Sequence, residues 1–364
     1  MKILYLITGL GGGGAEKIVA ELADSMCEKG HKVKIAYLKG GVVVSPNNPS
    51  VELIYLELEN LLSIKKAFFC FKNLLLDFNP DVVHSHMFHA NIFARLCRKF
   101  LKIPKLFCSA HSNNEGGRLR MLAYKYTHNF ADLTTNVSLN ASQNFEKIGA
   151  VPPGGIITVY NGIDINKFKK SNNYAFLKKE FVISEKNPIF FSVGRFSEVK
   201  DFPNLLKAFS IFKETSIFES KQPKLLIAGD GELREQIELL INSLNLQSNV
   251  ILLGRRDDIS SLLNISDFFV LSSVYEGLPT VVIEAMACET YVIATDCGGS
   301  AEIMGNSGAL VAIKNSSALA EAFKNSIMLS ESEIVSNNKI ARMRIEEFFS
   351  LNKSVDRWLE LYES

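Results

Sequence analysis

Short apolar runs and longer stretches of helical spacing alternate along this 364-residue chain. Ile3 to Ile7 is an apolar run that leads into a Gly-containing turn, as a strand buried on both faces would read. Residues 15–29 place Ile18, Val19, Leu22 and Met26 at helical spacing, and Gly30-His31 turns the chain into a second strand over 32–38. The same reading predicts strands at 51–56, 81–84 and 105–109, helices at 62–78, 90–101 and 118–130, and strand-like pieces near 132–137 and 156–159.

Residues 171–186 are polar and rich in Asn and Lys, which reads as a linker region plus a short helix. The rhythm then restarts. Strands are predicted at 188–193, 224–228, 249–253, 268–271 and 291–294, with helices at 201–215, 231–244, 257–264 and 281–288 and another starting near Ala301. The tail, 338–362, carries helical periodicity through Ile345, Phe348, Val355, Trp358 and Tyr362. Two successive strand–helix series imply two doubly wound parallel sheets. Such sheets bind ligands at the carboxyl ends of their strands, so the cleft between two of them is the expected site.

Composition narrows the function classes. Hydrophobic residues make up 47% of the chain and the formal net charge is +1, which argues for a substantial core and against a nucleic-acid binder. The six cysteines form no C-x-x-C pair and no Cys/His cluster has zinc spacing. The apolar start runs into glycines without a cleavage site, which argues against a secretory signal. No run of about 18 apolar residues is free of charge or of Gly and Pro. The expected location is the cytoplasm, with the inner face of the cytoplasmic membrane as a variant.

Three segments carry candidate chemistry. Gly9-Leu-Gly11-Gly12-Gly13-Gly14-Ala-Glu16 lies between strand one and helix one and matches G-x-G-x-x-G. Strand two ends in Leu38-Lys39-Gly40-Gly41, without the carboxylate that a dinucleotide ribose needs. A flexible turn, or close approach to a sugar or diphosphate, fits better. Gly194-Arg195-Phe-Ser-Glu-Val-Lys200 follows a strand directly. Its Arg fork and Lys point charge suit a diphosphate, although two solvated loop cations would read the same way. In Ser272-Ser-Val-Tyr-Glu276-Gly277-Leu278-Pro279-Thr280, continuing to Glu284, a helix starts near Thr280. That N-terminus favours phosphate, and Glu284 could accept from a ribose diol or pair with a local cation.

The segments GRFSEVKDFPNLLKAF, IAGDGELREQIE, SSVYEGLPTVVIEAMAC and ATDCGGSAEI occur in that order. With VYNGIDINKF at 159–168 and GGGGAEK at 11–17, the chain resembles the large retaining glycosyltransferase family 4, of the GT-B fold. The resemblance implies two Rossmann-like domains facing across a cleft. They would comprise an acceptor-side domain over 1–168, a nucleotide-sugar domain over 169–345 and a last helix, 346–364, returning to the first. It also implies roles. Arg195 and Lys200 would hold the donor diphosphate as leaving group. Glu276 would face the transferred sugar, with Gly194, Gly277, Leu278, Pro279 and Thr280 lining the phosphate side. Glu284 would hold the ribose, and Arg255 would fall where the base is read. His111, in CSAHS, would stand near the donor sugar and acceptor, and Gly12 and Gly13 would approach the diphosphate.

The implied activity is that of a hexosyltransferase. It would move a sugar, with retention, from a nucleoside-diphosphate sugar, UDP favoured, to a glycan or polyprenyl-diphosphate-linked acceptor in bacterial surface polysaccharide (O-antigen) assembly. No D-x-D triplet occurs, so no metal is expected, and no cofactor beyond the donor, itself a substrate. Retaining glycosidases place two carboxylates about 5 Å apart, and no such pair stands out. Front-side displacement, with the departing phosphate taking the acceptor proton, is therefore favoured. The alternatives are a nucleotide-sugar epimerase of similar fold and a non-catalytic nucleotide-sugar-binding module.

His84, His86 and His89 crowd one strand end, where structural or acceptor-side roles read as well as catalysis. Leu61 to Phe78 sets Phe68, Phe69, Phe71, Leu74 and Leu75 beside Lys65, Lys66 and Lys72. Arg95, Arg98, Lys99, Lys102, Lys105, Arg118, Arg120 and Lys125 extend the basic character. Contact with an anionic membrane and a core helix with a solvated basic face both fit this pattern.

Overall fold

The computed structural model describes all residues but Asn114, Asn172 and Ala175, and the backbone alone of Leu61. Parts of the expected linker at 171–186, and the side chain of the first residue of the basic apolar stretch, thus lie outside the description.

The chain divides into two units, Met1–Gly162 with Ser350–Ser364, and Ile163–Phe349. In the first, β1 (Lys2–Ile7), β2 (Lys32–Tyr37), β3 (Glu52–Tyr55), β4 (Val82–His86), β5 (Lys105–Ala110), β6 (Leu133–Asn136) and β7 (Ile157–Thr158) form one sheet. Its order is β3-β2-β1-β4-β5-β6-β7, and all its pairings are parallel. In the second, β8 (Ile189–Val193), β9 (Lys224–Ala228), β10 (Val250–Gly254), β11 (Phe268–Leu271), β12 (Tyr291–Thr295) and β13 (Ala309–Val311) follow the order β10-β9-β8-β11-β12-β13. These pairings are parallel too. Each sheet therefore has one switch point, where β1 meets β4 and where β8 meets β11, and chemistry is expected at the carboxyl ends of those strands.

Helices cover the sheets with apolar faces. The helix Gly14–Glu28 buries Ile18, Val19, Leu22 and Met26 against β1 and β2. The second unit is built on aromatic rings: Phe190 stacks on Phe268 at 4.7 Å, and Phe209, Phe212, Phe218 and Phe323 pack edge to face around them.

The observed boundaries differ from those expected at 168 and 346. Residues 163–168 belong to the second unit because Ile163 N–H donates to Phe349 O and the Arg342 guanidinium donates to Ile165 O and Phe168 O. Residues 346–349 stay there because the helix Glu331–Phe348 runs through 345 without a break. The tail is two helices, parted at Ser350, whose hydroxyl accepts from Lys353 N–H to start Leu351–Glu363. That last helix buries Val355, Trp358 and Tyr362 in the first unit's core.

Candidate functional site

In the second unit the candidate residues gather at the switch point. The loop after β8 carries Gly194, Arg195 and, at the end of one helical turn, Lys200. The loop after β11 carries Glu276 and Gly277 and enters the helix Thr280–Ala287. Hydrogen bonds tie the loops together: Val274 N–H donates to Val199 O at 2.8 Å, and Ser272 Oγ donates to Lys200 O at 2.8 Å. The Lys200 ammonium then lies 2.6 Å from Glu276 Oε1, which also accepts from Ser273 Oγ at 2.8 Å. Glu276 thus pairs with a local cation, and Glu284 sits half-buried one turn into the following helix.

An ammonium has three donors, so Lys200 can keep Glu276 and still serve an anion. Arg195 is exposed and has no side-chain partner among the described residues. Pro279 occupies the N-cap of Thr280–Ala287 without a side-chain capping bond; Val282 N–H donates to Pro279 O at 3.0 Å, and the N–H groups of Thr280 and Val281 before it suit an anion. Leu278 and Pro279 are buried and wall this turn.

Two glycines outside the predicted set hold the loops close. A Cβ on Gly229, at φ +146°, would stand 1.9 Å from Gly194 O; on Gly298, at φ +56°, it would stand 1.9 Å from Glu276 O. Gly299 N–H donates to Gly277 O at 3.0 Å. IAGDGE and ATDCGGS are therefore backbone platforms under Gly194 and Glu276. Their signal in sequence was a glycine just past a strand. Gly229 N–H donates to Gly254 O at 2.7 Å, which ties Arg255, exposed at the end of β10, to the same platform. Arg256 is clamped by Asp258 at 2.7 Å and 2.8 Å and serves its own loop.

In the first unit, Gly12 and Gly13 follow β1 at the start of the helix Gly14–Glu28, where Glu16 folds back against Gly13. His86 ends β4, and His111 follows β5. The rings of His86 and His111 share a 3.1 Å hydrogen bond, Nδ1 to Nε2. Burial holds His111 at about 4 and pushes His84 and His86 well below the usual histidine range. His84 is structural, with Nδ1 bonded to Tyr362 Oη at 2.6 Å and Nε2 to Ser109 Oγ at 2.7 Å, which pins the last helix to the sheet. His89 is half-buried on the helix Phe88–Arg98.

Sequence reasoning missed Glu115. Its Oε1 accepts from His111 N–H at 2.8 Å and its Oε2 from Tyr124 Oη, whose oxygen accepts from Asn91 Nδ2 at 2.8 Å. Burial pushes Glu115 up to about 6.

The expected basic apolar surface needs correction. Phe71, Leu74 and Leu75 are core residues, whereas Leu62, Phe69, Leu76 and Phe100 are exposed. Arg95 is fully buried, donates to Thr134 Oγ1 at 2.6 Å and lies over the Tyr124 ring at 5.0 Å, so it adds nothing to a basic face. Arg98 is paired with Asp132 at 2.7 Å. No helix among the described residues is long and apolar enough to cross a membrane.

Comparison with known proteins matches this layout. The family model for Glycosyltransferase Family 4 covers residues 12–167, and that for Glycosyl transferases group 1 covers 173–341. The chain belongs to glycosyltransferase family 4, and its two Rossmann-like units are those of the GT-B fold. It is a hexosyltransferase, the enzyme class of its named relatives. An uncharacterised glycosyltransferase of Methanocaldococcus jannaschii is 32% identical over 62% of this chain, a match that spans 57% of that protein. The Escherichia coli UDP-Gal:alpha-D-GlcNAc-diphosphoundecaprenol alpha-1,3-galactosyltransferase is 27% identical over 83% of this chain and 80% of its own. Among solved structures, an Anabaena protein in complex with UDP and glucose superposes with a TM-score of 0.82 at 20% identity, covering 100% of this chain and 99% of that one.

Proposed function

We propose that this enzyme transfers a hexose, with retention, from a UDP-sugar to a polyprenyl-diphosphate-linked glycan during bacterial surface polysaccharide assembly. The observation that carries the reading is the Lys200–Glu276 pair at the β8/β11 switch point, beside an open helix N-terminus and the unpaired Arg195. Lys200 and Arg195 neutralise the diphosphate as the bond from sugar C1 to the β-phosphate oxygen breaks. The acceptor oxygen bonds to C1 on the same face, and its proton passes to the departing phosphate oxygen. Glu276 spends Oε1 on Lys200 and Ser273, which leaves Oε2 for a sugar hydroxyl. Glu284 takes the ribose, Arg255 stands by the base, and Thr280 with Gly277 lines the phosphate. In the first unit, His111 serves the reacting sugar, and Gly12 and Gly13 give backbone access to the diphosphate. The donor is a substrate, and the reading needs no cofactor.

The relative from E. coli carries UDP-Gal and diphosphoundecaprenol in its name, which supports both substrate classes. A lipid-linked acceptor calls for work at the inner face of the cytoplasmic membrane. The exposed Leu62, Phe69, Leu76 and Phe100 beside Lys65 and Lys72 are the surface proposed to touch anionic lipid.

Thermal shift with UDP-glucose, UDP-galactose, UDP-GlcNAc and UDP-GalNAc identifies the donor, because a ligand bound to the folded state raises its stability. UDP release that requires an undecaprenyl-diphosphate-linked sugar then supports transfer. Conversion of the donor without any acceptor would point to an epimerase, and binding without turnover to a non-catalytic module.

A further inference from the structure

We infer that His86 is a positioning residue for sugar transfer: its Nδ1–H donates to His111 Nε2 and fixes the His111 imidazole as the Nδ1–H tautomer, a hydrogen-bond donor and not a base. This rests on the assignment of His111 to the reacting sugar.

The His86 ring has one place to go. It is 1% exposed at the end of β4, with the His84 ring centroid at 4.0 Å and that of Tyr5 at 5.6 Å. The strand end is itself fixed, since His86 pairs in register with Ser109 and Met87 N–H donates to Ser109 O at 3.0 Å. The chain at His111 is held separately, by its own N–H on Glu115. What remains is rotation of the His111 ring, and the bond from His86 sets it.

Two neutral imidazoles sharing one hydrogen bond have linked tautomers. Either both carry the proton on Nδ1, or both carry it on Nε2. Burial keeps both rings neutral at pH 7. His86 Nε2 is buried and has no protein acceptor among the described residues. An N–H there would be stranded, which is rarer and costlier than a bare lone pair. The proton therefore sits on Nδ1 of His86, which donates to His111, and His111 keeps its own proton on Nδ1. That nitrogen has no partner among the described residues, and His111 is partly exposed. A neutral imidazole N–H can stabilise a sugar or leaving-group oxygen as negative charge grows, without giving up its proton.

The test combines kinetics and spectroscopy on the full chain. His86→Leu removes the bond and should lower kcat on the order of 10- to 100-fold through misplacement, with KM for the UDP-sugar and the thermal shift given by UDP unchanged. His86→Asn places an amide N–H where Nδ1 stands and should restore most of the rate. In a His111→Ala background, His86→Leu should cost nothing further. Nitrogen-15 correlation spectra of the wild-type protein should show His111 protonated on Nδ1, a measurement that needs no variant to fold. A proton on Nε2, wild-type kcat in His86→Leu, or losses that multiply in the double variant would overturn the inference and leave the role of His111 standing. Wild-type turnover in His111→Ala would instead remove that role, and the inference with it.

Discussion

Lys200 Nζ and Glu276 Oε1 meet at 2.6 Å although 76 positions separate them in the chain. Each side chain is about a fifth exposed, at 23% and 16%, so neither charge is fully screened nor fully desolvated. The pair joins the loops after β8 and β11 and holds a cation at the switch point before any substrate arrives.

Removing one partner leaves the other half-buried without its counter-charge. Lys200→Ala should lower stability by about 1–3 kcal/mol, less than a fully buried pair because solvent still reaches the site. The double variant Lys200→Ala/Glu276→Ala should recover part of that loss. Chemical denaturation of Lys200→Ala, Glu276→Ala and the double variant measures the coupling.

Gly229 and Gly298 combine positive φ with a backbone oxygen 1.9 Å from any added Cβ. Alanine at either position should cost well over ~1 kcal/mol and weaken UDP binding, because Gly194 or Glu276 must move aside. Gly14, with nothing within 4 Å of its Cβ position, should accept alanine within about 0.5 kcal/mol. Thermal melts with and without UDP compare the three.

Much of this arrangement was legible in sequence. Strands followed by Gly-Arg and by Ser-Ser lead into loops that carry charge, and topology places both at the switch point. The helix Ser316–Ile327 escaped notice because its buried face relies on Ala320 and Ala322 beside Leu319 and Phe323, too small a contrast to stand out. β13 is three residues long and only partly buried. The burial of Arg95 could not be read locally, because the hydroxyls that satisfy it come from Thr127 and Thr134, on other elements. Glu115 carries no local sequence signal, because its role comes from Tyr124 and the His111 amide closing on it.

Acid stability follows from the first unit. His84, His86 and His111 have folded values below the unfolded 6.5. They stabilise the fold fully above that value, and this contribution is lost as pH falls below it. Glu115, raised from 4.5 to about 6, acts in the opposite sense: its contribution is present below 4.5 and is lost as pH rises to about 6. The three histidines outweigh it, so melting temperature should drop between pH 6.5 and 4.5. Glu115→Gln should make that drop steeper. Melts across this range check both.

Phe69 and Leu76 are exposed at 58% and 69%, so Phe69→Ser/Leu76→Ser should fold normally. Co-sedimentation with phosphatidylglycerol vesicles should fall several-fold against wild type. Equal binding, or wild-type binding that ignores anionic lipid, would remove the membrane surface.

The most direct test of the account is acceptor-dependent UDP release by Arg195→Ala and Lys200→Ala, each shown by circular dichroism to be folded. Loss of a cation aimed at the leaving group should lower kcat on the order of 100-fold or more in each. Wild-type kcat in either folded variant would contradict the leaving-group role.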